Sequence, residues 1–405
     1  MFQFKHTRYI LVLGTVFLLN SCQGSSSTKD STPESSVGEH ESNMPVSINS
    51  KVDIFMKSLI SNNRVPGAVL AIAKDNKVVY RKAFGVRDSQ TQKRVEQDTL
   101  FHIASTHKAI SSLLIATLVD KGILTWDTKA QEIYDGFTLS NETYASEITI
   151  RQLLDMTSGL PTDLDVPPSQ ARGLLEELTN IPLNVPKKQY TYSNLSVSIA
   201  SYLAVLAEAK FNNGLISEDD LDNLHAGYEA LLKRNVLIPI GMNNSYLDID
   251  KAKETNNMSS SHHLENGVFV VSQSEDEPFD VFAPAGGLKS TMNDMIKYMI
   301  VETQEGLTTE GKRIVSQKNM MVRQTLSKGV ATEEEYGLGL EVKTLSNNMA
   351  YIGHTGSFNN FNSAIGFFPN EKISFVLLIN GDSEDILKLT ADEIEGKMSE
   401  WVNEF

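Results

Sequence analysis

Apolar positions recur at helical spacing from Val52 to Ser61, which predicts a helix with one buried side. The period then changes. In "GAVLAIAKDNKVVYRKAFG" two β-rich runs flank Asp75-Asn76, the pattern of a hairpin. In "FHIASTHKAI" an apolar strand gives way to a helix after Ser105, where Ala109, Leu113, Leu114, Ala116, Thr117 and Leu118 form a broad apolar face. The middle of the chain reads as helical and loop-rich: "TIRQLLDM", "NLSVSIASYLAVLAEA", "YEALLKRNVLIPIGM" and "TMNDMIKYMIVE". Strands return only near the end, in "YGLGLEVKTL", "MAYIGHTG", "SAIGFFP" and "ISFVLLING", before an amphipathic helix from about Ser383 to Val402.

Strands at both ends would make two small, poorly covered sheets if each end were its own domain. One sheet built from both ends, with the helical region inserted, buries more surface. The expected class is therefore α+β: an antiparallel sheet from both chain ends, flanked by helices, in one domain over 51–405.

The first fifty residues stand apart. Lys5 and Arg8 precede an apolar run from Tyr9 to Leu19, too short for a spanning helix, which needs about 20 residues. Residues 1–22 thus read as an export signal. Its end, Leu19-Asn20-Ser21-Cys22, resembles the lipobox of bacterial lipoproteins, which implies a lipid anchor on Cys22, the only cysteine, and a place in the bacterial cell envelope. An ordinary signal peptide with an incidental cysteine is the alternative. Residues 23–50 are rich in Ser, Thr, Glu and Pro and read as a flexible tether. Cleavage would remove two bases and no acids, taking the net charge from −15 to 34 − 51 = −17. Nucleic acid is thereby excluded as an expected partner.

Ser105 and Lys108 stand three apart at the predicted helix start. On one helix face, a buried lysine with a lowered pKa could take the proton of an attacking serine, and the helix terminus would favour the developing charge. A Ser N-cap beside a solvated Lys explains the same spacing, and Ser-x-x-Lys recurs at Ser26 to Lys29 in the polar stretch. Two further stretches bear on the choice. "YTYSNLSVSIA" puts Tyr192 and Asn194 at a turn opening a helix; "YIGHTGSFNNF" puts His354, Thr355 and Gly356 at a strand end, where a glycine would let a substrate backbone approach. Singly, Tyr192 reads as a half-buried aromatic, Asn194 as an N-cap and His354 as an edge histidine.

In this order, and with "VPGAVLAIAKDNKVVYRKAFGVRD", "TLFHIAS", "LLDMTSGLP", "LIPIGM", "APAGGLKSTMNDMIKY" and "YGLGLEV" between them, these residues resemble the serine β-lactamase and penicillin-binding protein superfamily. The resemblance spans about residues 50–380 and is to the class C-like branch, which also holds D,D-carboxypeptidases, D-amino acid peptidases and carboxylesterases. It implies that Ser105 is acylated, that Lys108 helps deprotonate it, and that Tyr192 passes the proton onward. It further implies that Asn194, His354, Thr355 and Gly356 bind substrate, and that the backbone N–H groups of Ser105 and Ser357 form the oxyanion hole. No metal or cofactor is implied; the expected partner is a small-molecule or peptide substrate.

The chain departs from that pattern at His354, where most of the superfamily has lysine. Unperturbed histidine is mostly neutral at pH 7, which weakens the anchor for the carboxylate of β-lactams and D-Ala-D-Ala termini. Ester or amide hydrolysis is therefore the expected activity, ahead of β-lactamase or D,D-carboxypeptidase action and of a non-turnover penicillin-binding sensor. Lys187-Lys188, the segment Phe211 to Asn223 and Asn359-Asn360 are further departures. Rival chemistries lack their motifs: there is no Gly-x-Ser-x-Gly and no His-Glu-x-x-His.

Overall fold

The computed structural model describes residues 47–164, 167–181, 183, 189–272, 281–327 and 335–405. The proposed signal, Cys22, most of the tether and Lys187-Lys188 lie outside them. Helix α1 (Ile48–Ser61) starts four residues before the apolar pattern does, because the Ser47 side chain caps it by accepting from Ser50 N–H. The last residues of the stretch read as tether are thus helical.

Seven strands form the main sheet: β1 (Gly67–Lys74), β2 (Lys77–Asp88), β3 (Lys93–Arg94), β4 (Glu341–Thr344), β5 (Ala350–Phe358), β6 (Phe361–Phe368) and β7 (Ile373–Ile379). Their spatial order is β3-β2-β1-β7-β6-β5-β4, with each neighbouring pair antiparallel. The ends of the chain meet at its centre. Ala68 of β1 pairs with Ile379 of β7, and the register runs to Lys74 opposite Ile373.

Strand periodicity sorts the side chains into two cores. Val69, Ala71 and Ala73 of β1 face α2 (His107–Asp120), α3 (Asn194–Asn213) and α4 (Met292–Thr303). Ala68, Leu70 and Ile72 face α1 and the C-terminal helix α5, which comprises Glu384–Lys388, a π turn at Leu389–Glu393 and Ile394–Trp401. The result is helix, sheet, helix.

Two features differ from the pattern reading. Helix α2 is buried on every side from His107 to Leu118, not along one broad face, because it is packed within the helical layer against α3 and the Gln317–Arg323 helix. A small hairpin, His262–Glu265 with Val268–Val271, interrupts the helical middle. Its turn is Asn266-Gly267, at φ 50° and 79°. Asn-Gly is the dipeptide favoured in a two-residue type I′ hairpin, and here it is legible in "HHLENGVFVV".

Candidate active site

The nucleophile turn is built by long-range contacts. Strand Leu100–His102 pairs with Lys289–Thr291, and a 3-10 turn at Ala104–Thr106 then leads into α2. Ala104 sits at φ 48°, a left-handed conformation that costs an L-residue roughly 1 kcal/mol. The turn is held in place by Ile103. Its N–H donates to Leu288 O (3.1 Å), and its carbonyl accepts from Ser363 Oγ and Thr106 Oγ1, both at 2.6 Å.

Ser105 is therefore aimed at Lys108, whose Nζ donates to Ser105 Oγ at 2.9 Å and to Ala285 O at 2.9 Å. Burial of the amine pushes the Lys108 pKa down to about 7, while Asp163 opposes that shift. A substantial neutral fraction near pH 7 gives the amine a lone pair for the serine proton. Tyr192 completes the corner: it lines the same cavity as Ser105, whose side chain favours the ionised phenol, and its ring lies 4.8 Å from Lys108 Nζ. Burial holds the phenol protonated, well above its ordinary range. The Tyr192 loop is fixed from beneath by Met156, at φ 63°, whose carbonyl accepts from Thr191 N–H (2.8 Å).

The facing wall is β5. Phe358 and Phe361 close a two-residue hairpin over Asn359-Asn360, both at positive φ, as a type I′ turn requires. Hydrogen-bonded and open pairs alternate from there, so the Thr355 and Ser357 N–H groups turn away from β6. On the far side, the Thr355 N–H favours the ionised form of the Glu341 carboxyl. Ser357 N–H faces the same edge, as an oxyanion donor must.

Gly356 is required by the protein's own packing. A Cβ there would lie 2.6 Å from Ser363 Oγ and 2.8 Å from both Ile103 O and Ser105 N. The close approach demanding glycine here is that of the nucleophile's own turn.

A cavity of 360 Å³ joins Ser105, Tyr192, His354, Thr355, Gly356 and Ser357. Lys108 touches it through Ser105. A larger hollow of 780 Å³ beside Arg151 and Met321 has no serine and lysine so paired. His354 is buried, with Nε2 3.0 Å from Tyr336 Oη and Nδ1 2.5 Å from Thr355 O. The carbonyl assigns the proton to Nδ1, and Tyr336 donates to Nε2. Burial and the nearby Lys108 amine push its pKa down to about 3. The ring is thus neutral and both nitrogens are committed. Asn194, which opens α3, stands outside the cavity lining; its Nδ2 donates to Asp163 Oδ1 (2.8 Å) and its buried Oδ1 has no partner.

Pattern reasoning missed Glu341, Asn362 and the C-terminal helix residues Leu387, Thr390 and Ala391, all lining the cavity. Glu341 lies within "YGLGLEV" but nothing there marks it as lining a cavity; the sheet order brings it beside Ser105, and the packing of the C-terminal helix brings the others. Asn362 could have been found from the hairpin, since it pairs with Ser357.

A serine paired with a pKa-lowered lysine, a tyrosine hydroxyl and inward N–H donors, on a sheet closed by both chain ends, defines the serine acyl-transfer class. The chain belongs to the beta-lactamase family: the family model matches residues 49–394. It is 24% identical over 350 residues to Protein flp of Staphylococcus aureus, covering 84% of this chain but 64% of that protein's length. It is 25% identical over 224 residues to unguisins hydrolase ungD' of Aspergillus campestris, covering 52% of this chain and 39% of that one. The octameric penicillin-binding protein homologue from Pyrococcus abyssi shares the fold, with TM-score 0.68, 22% identity, and coverage of 86% of this chain and 77% of that one.

Proposed function

We propose that this chain is an exported, lipid-anchored serine hydrolase of the class C-like branch that cleaves an ester or amide through an acyl-enzyme on Ser105. The observation that carries the reading is the 2.9 Å contact between Ser105 Oγ and a lysine whose pKa is lowered to about 7. Neutral Lys108 takes the hydroxyl proton as Oγ attacks the carbonyl carbon. The Ser105 and Ser357 N–H groups hold the resulting oxyanion. Collapse expels the alcohol or amine, which receives the proton through Tyr192. Water, deprotonated by the same groups, then attacks the acyl ester, the Ser105 proton is restored, and the acid leaves. That one relative bears a hydrolase's name supports turnover over mere acylation.

The neutral, committed His354 supports ester or amide substrates over β-lactams and D-Ala-D-Ala peptides. The membrane attachment rests on Cys22 and the pattern before it. The test is a parallel assay of purified protein on nitrocefin, p-nitrophenyl esters and D-Ala-D-Ala peptides, with Ser105→Ala as control. Ester turnover is expected to be the fastest and to fall about 10³-fold or more in the variant. Full ester turnover by Ser105→Ala ends the reading, and fluorescent-penicillin labelling without any turnover replaces it with a sensor.

A further inference from the structure

Among the described residues that line the cavity, one carries a full formal charge: Glu341, at the start of β4. Its side chain is 30% exposed and shares the cavity with Ser105, Tyr192 and Thr355. Its counter-ion is shared and off-centre. Lys343 Nζ is 3.5 Å from Glu341 but 2.9 Å from Glu395, which lies outside the lining. Burial raises the Glu341 carboxyl above its ordinary range even with Lys343 and the Thr355 N–H opposing it, so the site leaves the carboxylate under-compensated.

No fixed cation balances it from the other walls. His354 is neutral, and Lys108 is bonded to Ser105 and Ala285. Asp163, bonded to Asn194, adds a second acid whose charge is felt by both Lys108 and Tyr192. A substrate carboxylate would meet this field with the wrong sign. An ammonium would supply hydrogen-bond donors and the missing charge together.

We infer that Glu341 is a specificity-determining residue that selects substrates with an ammonium group near the scissile bond, such as aminoacyl esters or amides with a free amine, against substrates ending in a carboxylate. The inference rests on Ser105 being the reacting nucleophile, as proposed above. It makes Glu341 a binding group for the acyl or leaving side, with no part in the proton transfers.

The experiment compares three p-nitrophenyl esters of equal chain length, ending in an amine, a methyl and a carboxylate. Three matching p-nitrophenyl phosphonates are run beside them, with adducts on Ser105 followed by intact mass. Wild type is expected to prefer amine over methyl over carboxylate in both series. Glu341→Gln should lower the amine-to-methyl ratio of kcat/KM by about tenfold to a hundredfold, the worth of one charge-assisted hydrogen bond. Lys343→Met removes the competing cation and leaves Glu341 in place; assayed well above neutral pH, where the carboxyl stays ionised without that cation, it should raise the same ratio. An unchanged ratio in both variants, or a wild-type preference for the carboxylate, overturns the inference. Esters turned over with no charge preference sink it and leave the hydrolase reading standing. Adducts in the expected charge order without ester turnover do the reverse, and neither adducts nor turnover removes both.

Discussion

The two walls of the cavity are made in different ways. The nucleophile wall sits at the head of a helix buried on every side, and each part is fixed by groups distant in the chain: Ser363 on Ile103, Ala285 on Lys108, Met156 on the Tyr192 loop. The β5 wall satisfies its histidine from its own stretch of the chain: His354 is bonded to Thr355 and to Tyr336. Packing constrains the first wall so tightly that its chemistry has little freedom to drift. Along the second, His354 stands where a lysine is expected, and the charged side chain on the cavity is Glu341.

Breaking the first wall should have the largest effect. Lys108→Met is expected to lower ester kcat/KM by about 10³-fold, the usual scale for a lost general base. Wild-type kcat/KM should rise with pH through about 7, as Lys108 loses its proton, and level off above. The same lysine costs stability. Its pKa falls from 10.5 unfolded to about 7 folded, so between those values the unfolded chain holds a proton that the folded one has released, and stability rises with pH across that window. At pH 7 Lys108→Met should therefore melt a few degrees higher by calorimetry while losing activity. A variant that loses both would show that the amine holds the helix head together.

Changing the second wall should shift preference and spare the chemistry. His354→Lys restores a cation beside Ser105 and is expected to raise nitrocefin acylation relative to ester hydrolysis by about tenfold, read as a ratio of rates. No shift in that ratio would mean that the walls are less independent than their contacts indicate. The smallest effect belongs to the hairpin that closes this wall. Asn360, at φ 58°, should accept glycine in Asn360→Gly with a change of only a few tenths of a kcal/mol in urea unfolding and no change in charge preference.

The sheet and the nucleophile were legible in the sequence for different reasons. Period-two runs at both ends made a shared sheet the better-buried arrangement, and β1 does pair with β7. Ser105, Lys108, Tyr192, His354, Thr355, Gly356 and Ser357 carry a recognisable order, and the fold brings them to one place. What the chain does not announce is adjacency across elements. Glu341 reaches Ser105 only because β4 is the edge strand beside β5, and Thr390 only because a π turn of α5 lies over the same opening. Asn194 shows the reverse: its place in a familiar triplet suggested a substrate contact, whereas its amide is engaged with Asp163, a residue of no recognisable motif. The Asn266-Gly267 hairpin was visible in principle and lost among helical neighbours.

The pairing of β1 with β7 also sets a clock. Antiparallel contacts between Ala68 and Ile379 are about as non-local as this chain permits, and such pairings form slowly because the loop they close is long. Until β5 to β7 have been synthesised, Ser105 has neither the Ser363 clamp on its turn nor the Ser357 N–H across from it. A nascent chain therefore carries a serine that is chemically ordinary. Reactivity arrives with the last strands.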